Sequence, residues 1–235
     1  MVKNKDKLIL GYIFSIKKLI LVFILTSIVG VVSVGQIEQM LLYKNIYRTA
    51  DSLKNAGTVC SADAATLNLL KKLDKKHPSK YFESAGELLK ESKFNEASIV
   101  FYVGKLRYRY FNAANPKYQA SGDGALFASL QYVMGEPLNE FLKSDIGNFI
   151  VVLKSAAEYC KNNDYTFYSK DKNPEKYAAV QNSDAGLIKD LETNKTKYAA
   201  EWKTERVQME EAIAKAIEEY DKLSNEEKKQ LKKNN

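Results

Sequence analysis

The stretch AGELLKESKFNEASIVFYVGKLRYRYF, Ala85–Phe111, decides the fold. Its apolar residues recur every three or four positions on both sides of a turn at Phe94-Asn95, the spacing of a helix with one buried face. Because the turn is short, we expect the two helices to pack antiparallel. Small residues on both segments allow a close approach, namely Ala85, Gly86, Ala97 and Gly104. The stretch therefore predicts a helical hairpin.

The same periodicity continues toward the N-terminus. A first helix is predicted from Ile37 to Leu53, and Gly57 offers its stop. A second runs from Ala64 to Leu73 and ends before His77-Pro78, because the residue before a proline is pushed out of the helical region. Pro78 then opens the first arm of the hairpin.

The pattern toward the C-terminus is also helical. Asn112–Gly124 predicts a surface loop. After it we predict a short helix ending at Gly135, a separate segment opened by Pro137, and a buried helix from Ile146 to Cys160. Beyond Pro174 the charged sequence indicates one long helix or two. Ser224 with Glu227 resembles the cap of a last short helix.

These elements predict an all-α fold, an irregular bundle of antiparallel helix hairpins with a long charged C-terminal helix. We expect one domain over residues 36–235, in which residues 173–235 form the charged helical region. The apolar stripe of that region could instead pair two chains as a coiled coil, but its heptad is irregular. Packing on the same domain is favoured.

The N-terminus has the pattern of an export signal. Leu19–Gly35 is uncharged and directly follows Lys17 and Lys18. Residues 1–35 therefore predict a signal peptide cleaved before Gln36, or else an uncleaved membrane anchor. In either case, the lysines on the N-terminal side predict that the residues after Gly35 lie outside the cytoplasm. We expect a secreted protein in the periplasm or on the outer face of the cytoplasmic membrane.

The charge pattern narrows the class of partner. The 235-residue chain has a net charge of +7, but residues 1–35 contain five lysines and one aspartate, which leaves +3 on the remainder. These charges are interspersed, whereas nucleic-acid binding needs a basic face. The basic run Lys228–Lys233 is typical of a solvated helix end, with a membrane or polyanion contact as the alternative. We expect no nucleic-acid partner, and a membrane contact only through an uncleaved N-terminus.

The two cysteines lie in the part that would be exported. Cys60 and Cys160 could pair there as a disulfide, because an oxidising compartment permits it. The alternative is two buried free thiols. With a single histidine and no CxxC or HxxxH spacing, the sequence predicts no metal site and no cofactor.

The motifs in the sequence favour binding over catalysis. His77 stands beside a proline at a helix boundary, where a histidine is usually a turn or capping residue. No GxSxG or GxGxxG motif occurs, so we predict no enzyme. The run LRYRYF concentrates arginine and tyrosine, the mixture that protein interfaces favour. The candidate binding residues are Tyr102, Arg107, Tyr108, Arg109, Asn115 and Asp123. The alternative is a core edge whose arginines pair with local acids such as Glu96.

Several segments between Leu73 and Lys170 form a recognisable order: HPSKYFESAGELL, EASIVFYVGKLRYRY, NP and GDGALFASL. This order, HP…EA…FYxGxLRYR…NP…GDxALFxSL, resembles a group of small exported bacterial proteins of uncharacterised function. The resemblance implies no activity, but its residues gather on one hairpin and the following loop, where we expect the site. The hairpin also resembles one tetratricopeptide hairpin, without a second copy at a 34-residue period.

We therefore expect an exported envelope protein that acts by binding another protein. An immunity protein against a delivered toxin is one concrete form of this function. The alternatives are an envelope hydrolase or small-ligand receptor with a pocket lined by tyrosines and by Glu87, Glu96 or Asp123, and a structural envelope component. A concave convergence of these groups with His77 would favour the first alternative.

Overall fold

A computed structural model describes residues 34–118, 122–223 and 225 of the chain. Those residues contain eight α-helices, two short 3-10 helices and no strand, which confirms the all-α prediction. The helices are α1 Val34–Asn55, α2 Ala64–Leu73, α3 Ser79–Lys90, α4 Phe94–Ala114, α5 Asp123–Lys143, α6 Ile146–Asn162, α7 Pro174–Thr193 and α8 Lys195–Lys222. Most of the predicted signal segment, the Ser224–Glu227 cap and the Lys228–Lys233 tail lie outside the described residues.

The chain divides into two compact units. One comprises residues 45–206, with α2 to α7 and the adjoining parts of α1 and α8, and the other comprises the two chain ends. The single domain over 36–235 stays a prediction. None of the helices in the described part combines the length and the apolar character needed to cross a membrane.

The helix ends are set by local sequence signals. Gly57 has a φ of +64°, and the N–H of Thr58 donates to the carbonyl of Leu53 at 2.9 Å, which closes α1 with a Schellman motif. The Asp63 carboxylate accepts from the N–H of Thr66 at 2.7 Å and caps α2. These local bonds explain why α1 ends and α2 begins close to the predicted positions.

The segment around Pro137 differs from the prediction. Instead of two short segments, α5 is one helix over Asp123–Lys143 with Pro137 inside it. A proline removes one helical hydrogen bond and normally ends a helix. Here Pro137, Leu138, Phe141 and Leu142 are all buried. The burial of this second half offsets the lost bond, so the helix continues.

The charged C-terminal sequence forms two helices rather than one. Pro174 stands in the first turn of α7, and the Asn173 side chain accepts from the N–H of Lys176 at 3.2 Å. Asn194 separates α7 from α8. Of the two alternatives left by the sequence, the structure selects the pair.

Helix α4 is the centre of the 45–206 unit. It packs against α2, α3, α5, α6 and α7, and it is buried on nearly all sides. The α3–α4 hairpin is present as predicted: the rings of Phe82 and Phe101 meet edge to face at 5.3 Å. The backbone at Gly104 approaches Tyr81 so closely that a Cβ atom there would lie 2.3 Å from the Cβ of Tyr81.

The prediction of a disulfide is wrong, and the alternative of two buried free thiols is confirmed. The N–H of Cys60 donates to the side chain of Asn148 at 2.8 Å, near the start of α6. Cys160 lies twelve residues farther along the same helix, a rise of about 18 Å. Since bridged cysteines need Cα atoms within about 7 Å, the two thiols cannot meet in this fold.

Burial also sets the reactivity of the two thiols. It raises the pKa of Cys60 and of Cys160 to about 12, so almost no reactive thiolate forms near neutral pH. We expect an aromatic disulfide reagent to titrate both thiols in unfolded, unreduced protein and to react much more slowly with the native protein. Thiols that appear only after reduction would contradict this arrangement.

Candidate functional site

Three polar clusters surround α4, each on a different side of the helix. The ion-pair cluster consists of Asp74, Tyr81, Arg107 and Tyr159. The histidine cluster consists of His77, Ser79, Tyr108 and Asp123. The charged cluster consists of Tyr102, Lys105, Arg109 and Asp184.

The ion-pair cluster is fully enclosed. Nε and Nη2 of Arg107 lie 3.0 and 2.9 Å from Oδ1 of Asp74, and only 1% and 6% of these side chains is exposed. Tyr81 donates to Oδ1 of Asp74 at 2.7 Å, and Tyr159 donates to Oδ2 at 2.6 Å. Burial, together with the charge of Asp74, raises the pKa of both tyrosines, so both stay protonated as donors.

The ion-pair cluster also fixes the loop that follows α6. Nη2 of Arg107 donates to the carbonyl of Asn163 at 2.8 Å. The carbonyl of Asp74 accepts from the hydroxyl of Thr166 at 3.0 Å and from the N–H of Phe167 at 2.9 Å. The cluster thus joins the end of α2 to α3, α4, α6 and this loop, which is a structural role.

The histidine cluster is half-buried. Nε2 of His77 lies 3.2 Å from Oδ1 of Asp123, which also accepts from the hydroxyl of Tyr108 at 3.1 Å. Nδ1 of His77 lies 3.0 Å from Oγ of Ser79. The imidazole packs edge to face against Tyr108, Phe111 and Phe167, with centroids 5.5 to 5.7 Å apart. Both ring nitrogens are therefore occupied within the fold.

The order hydroxyl, imidazole, carboxylate is also that of a catalytic triad. Such a site needs free N–H groups to stabilise an oxyanion. At the start of α3, however, the N–H of Ser79 faces Nδ1 of His77 at 3.4 Å, and those of Lys80 and Tyr81 donate to the carbonyls of His77 and Pro78. This geometry favours the capping interpretation of His77. The absence of enzymatic activity stays a prediction.

An exposed apolar face lies beside the histidine cluster on α5. The segment Gly124–Gly135 contains no charged residue. Leu126, Tyr132 and Val133 on it are 42%, 48% and 55% exposed, and we call these three residues the α5 face. Phe167, which contacts the His77 ring, is also exposed. Sequence reasoning missed this face, because an uncharged run is typical of a buried helix as well as of an exposed apolar surface.

Four exposed lysines precede His77: Lys71, Lys72, Lys75 and Lys76, which we call the lysine rim. No carboxylate lies within 4.0 Å of their ammonium groups in the described part of the chain. Lys76 directly precedes His77, and His77 contacts Asp123, three residues before Leu126, so the rim and the N-terminal end of the α5 face flank the same histidine cluster. This end of the 45–206 unit therefore combines positive charge with exposed apolar area.

In the charged cluster, Arg109 donates to Oγ of Ser183 at 2.9 Å, and Tyr102 donates to the side chain of Asn139 at 2.7 Å. Nζ of Lys105 lies 5.2 Å from the centroid of the Tyr102 ring. Asp184 is almost completely buried on α7. This cluster joins α4 to α5 and α7.

The structure distributes the six predicted binding residues over these clusters. Tyr102, Arg107 and Tyr108 are buried, so the prediction that they form an exposed contact surface is wrong. Arg109, Asn115 and Asp123 are half-buried, and the side chain of Asn115 donates to the carbonyl of Phe111. The residues separate because neighbouring positions on a buried helix point to different partners.

The structure also shows the partner of Arg107 and the position of Glu87. The acid that pairs with Arg107 is Asp74 and not the nearby Glu96. Glu87 pairs with Lys90 at 2.9 Å on the solvent side of α3. It therefore does not line a pocket together with the other candidate residues. Within residues 34–118 and 122–223, no group of three or more metal-ligating side chains comes together.

A scan against models of protein families finds no match to this chain, and searches of curated proteins and of solved structures find none either. The resemblance to small exported bacterial proteins stays a prediction.

Proposed function

We propose that the protein is exported to the cell envelope and binds another protein through the α5 face and the lysine rim. The single observation that carries this proposal is the exposure of Leu126, Tyr132 and Val133 on an uncharged stretch of helix. Contiguous exposed apolar area that is bordered by polar residues is typical of interaction sites. Tyrosine side chains in such areas are frequent energetic anchors.

The lysine rim defines the chemistry of the partner. Its ammonium groups have no acidic neighbour within 4.0 Å in the described chain, so they are free to pair with carboxylates of another molecule. The partner surface complementary to this end carries apolar side chains at its centre and acidic side chains around them. Exposed charges of this kind mainly accelerate association and reject wrong partners.

An immunity protein that neutralises a toxin delivered into the envelope is one concrete form of this function. Export is supported by the basic and apolar pattern of residues 1–35. A toxin with an acidic interaction surface would meet the chemical requirement. This form rests on an analogy of size and compartment.

The test uses tagged full-length protein to capture partners from envelope extract, and then measures the affinity of a purified captured protein. The variant L126D/V133D places two carboxylates on the α5 face. We expect it to bind at least about tenfold more weakly, because an apolar anchor is replaced by charge that must be desolvated. The variant K75E/K76E is expected to slow association and to weaken its dependence on salt.

A matched control is V59D, since Val59 is 57% exposed outside the α5 face. It should leave the affinity unchanged. Equal affinity of the L126D/V133D variant and the unmodified protein for every captured protein would overturn the proposal. Loss of self-association alone in that variant would identify the α5 face as a contact between copies of this chain.

A further inference from the structure

The connection between α7 and α8 contains an acceptor motif for N-linked glycans. Its sequence is Glu192-Thr193-Asn194-Lys195-Thr196. An asparagine followed two positions later by serine or threonine, with a residue other than proline between them, is the motif at which oligosaccharides are attached to secreted proteins. No other asparagine of the chain has serine or threonine at that distance. The sequence thus marks Asn194 alone.

The structure places this motif on the surface of the 45–206 unit. Asn194 is the single residue between Thr193, the last residue of α7, and Lys195, the first residue of α8. Thr193, Lys195 and Thr196 are exposed, and Asn194 is half-buried. Exposed connections between helices tolerate added groups, because little of the core depends on them. A glycan at Asn194 would therefore extend into solvent and not into the core.

The side-chain amide of Asn194 can carry a sugar and keep part of its structural role. Nδ2 donates to the carbonyl oxygen of Asp190 at 3.2 Å and to the Oδ1 atom of the same residue at 2.8 Å. The amide nitrogen bears two hydrogen atoms, and attachment of a sugar replaces one of them. The remaining N–H still has an acceptor on Asp190, so the end of α7 keeps one of these two bonds.

Glu192 adds a charged group to the motif. In the folded protein its carboxylate pairs with Nζ of Lys154 on α6 at 2.6 Å, and both side chains are about half exposed. An exposed ion pair of this kind contributes little to stability. In the unfolded chain the same carboxylate, two positions before Asn194, is available to a basic side chain of a transferring enzyme.

We infer that Asn194 is the attachment site of an N-linked oligosaccharide. The donor is an oligosaccharide joined through pyrophosphate to a membrane lipid. Nδ2 forms a bond to the anomeric carbon and gives up one proton to a base of the transferring enzyme. The bond from that carbon to the pyrophosphate oxygen breaks, and its electron pair leaves with the lipid pyrophosphate.

The native contacts also set the stage at which the sugar is added. Both hydrogen atoms of Nδ2 are engaged with Asp190 once α7 and α8 have folded. The acceptor is therefore the exported chain before this connection has folded. The inference rests on the export that is part of the proposed function, because N-linked glycans of this type are attached to secreted proteins.

The test expresses the tagged full-length protein in two matched bacterial strains that make the same defined lipid-linked oligosaccharide. Only one of the strains contains an oligosaccharyltransferase, and an established acceptor protein in the same cells reports that the enzyme is active. The cells are fractionated, and the masses of the purified protein and of its peptides are measured. We expect a mass increase equal to that oligosaccharide, on the peptide that contains Asn194 and only in the strain with the enzyme.

Four variants separate recognition of the motif from a structural role of Asn194. T196A should lose the added mass, because it removes the hydroxyl that the motif requires while Asn194 and its bonds to Asp190 remain. T196S restores the hydroxyl and should restore the glycan. T193A is the matched control at an exposed threonine outside the required positions and should keep the glycan. E192Q should lower the modified fraction, since it removes the charge.

Two results would overturn the inference and leave the export proposal standing. One is unmodified protein in the envelope fraction of cells whose established acceptor is glycosylated. The other is a T196A variant that still carries the oligosaccharide. Protein confined to the cytoplasm would overturn the export proposal, and the inference would be rejected with it.

Discussion

Replacement of Asp74 by asparagine is expected to lower the free energy of unfolding by about 3–5 kcal/mol, the usual cost of breaking a buried ion pair from one side. The substitution keeps the shape of the side chain but leaves the Arg107 guanidinium charged and buried. Tyr81 and Tyr159 also lose the charged acceptor of their short hydrogen bonds. Because natural domains are stable by only about 5–15 kcal/mol, the loss should be visible in a urea titration.

The matched control for this substitution is D171N, since Asp171 is exposed. Its unfolding midpoint should not move. The double variant D74N/R107M should be more stable than D74N alone, because the uncompensated charge is gone. A loss below about 1 kcal/mol in D74N would mean that the ion pair contributes no more than an exposed one.

Substitution of Gly104 by alanine should destabilise the protein by about 1–3 kcal/mol or more, the range for overpacking a core. The added Cβ would lie 2.3 Å from Cβ and 3.0 Å from Cγ of Tyr81. Both atoms belong to the rigid base of a fully buried side chain whose hydroxyl is tied to Asp74. Relief therefore requires α3 and α4 to separate, which thermal unfolding would report.

The control is G186A, a glycine in the middle of α7 around which nothing lies within 4 Å of the added atom. Here alanine should stabilise by about 0.5–1 kcal/mol, because glycine loses more backbone freedom in a helix. The two variants thus shift the melting temperature in opposite directions. A stabilising effect of G104A would show that the hairpin is packed less closely than described.

The parts of the fold that were predicted correctly depend on neighbours in the sequence. The α3–α4 hairpin, the stop at Gly57 and the boundary at Pro78 each follow from residues within one or two turns. The continuation of α5 through Pro137 could not be predicted in this way. It depends on the burial of Leu138 and Phe141 by other helices.

The site was predicted less well than the fold, because its contacts also join residues that are far apart in the sequence. Asp74 stands among four lysines in the sequence, where an acid looks like part of a solvated surface. Its partner Arg107 is 33 positions away, and Tyr159 is 85 positions away. The resemblance did draw attention to His77 and Asp123, which the structure brings together at 3.2 Å. The exposure of α5 needed the packing of the remaining helices to be known.

The Asp74 network joins residues that lie far apart in the chain, so the core can close only late in synthesis. Its first member is Asp74, and its last contacts are made by Asn163, Thr166 and Phe167. A chain synthesised from its N-terminus holds an unsatisfied Asp74 and Arg107 until about residue 167 has emerged. Long-range contacts of this kind slow folding. The core of the 45–206 unit can accordingly be completed only after more than two thirds of the chain has been synthesised.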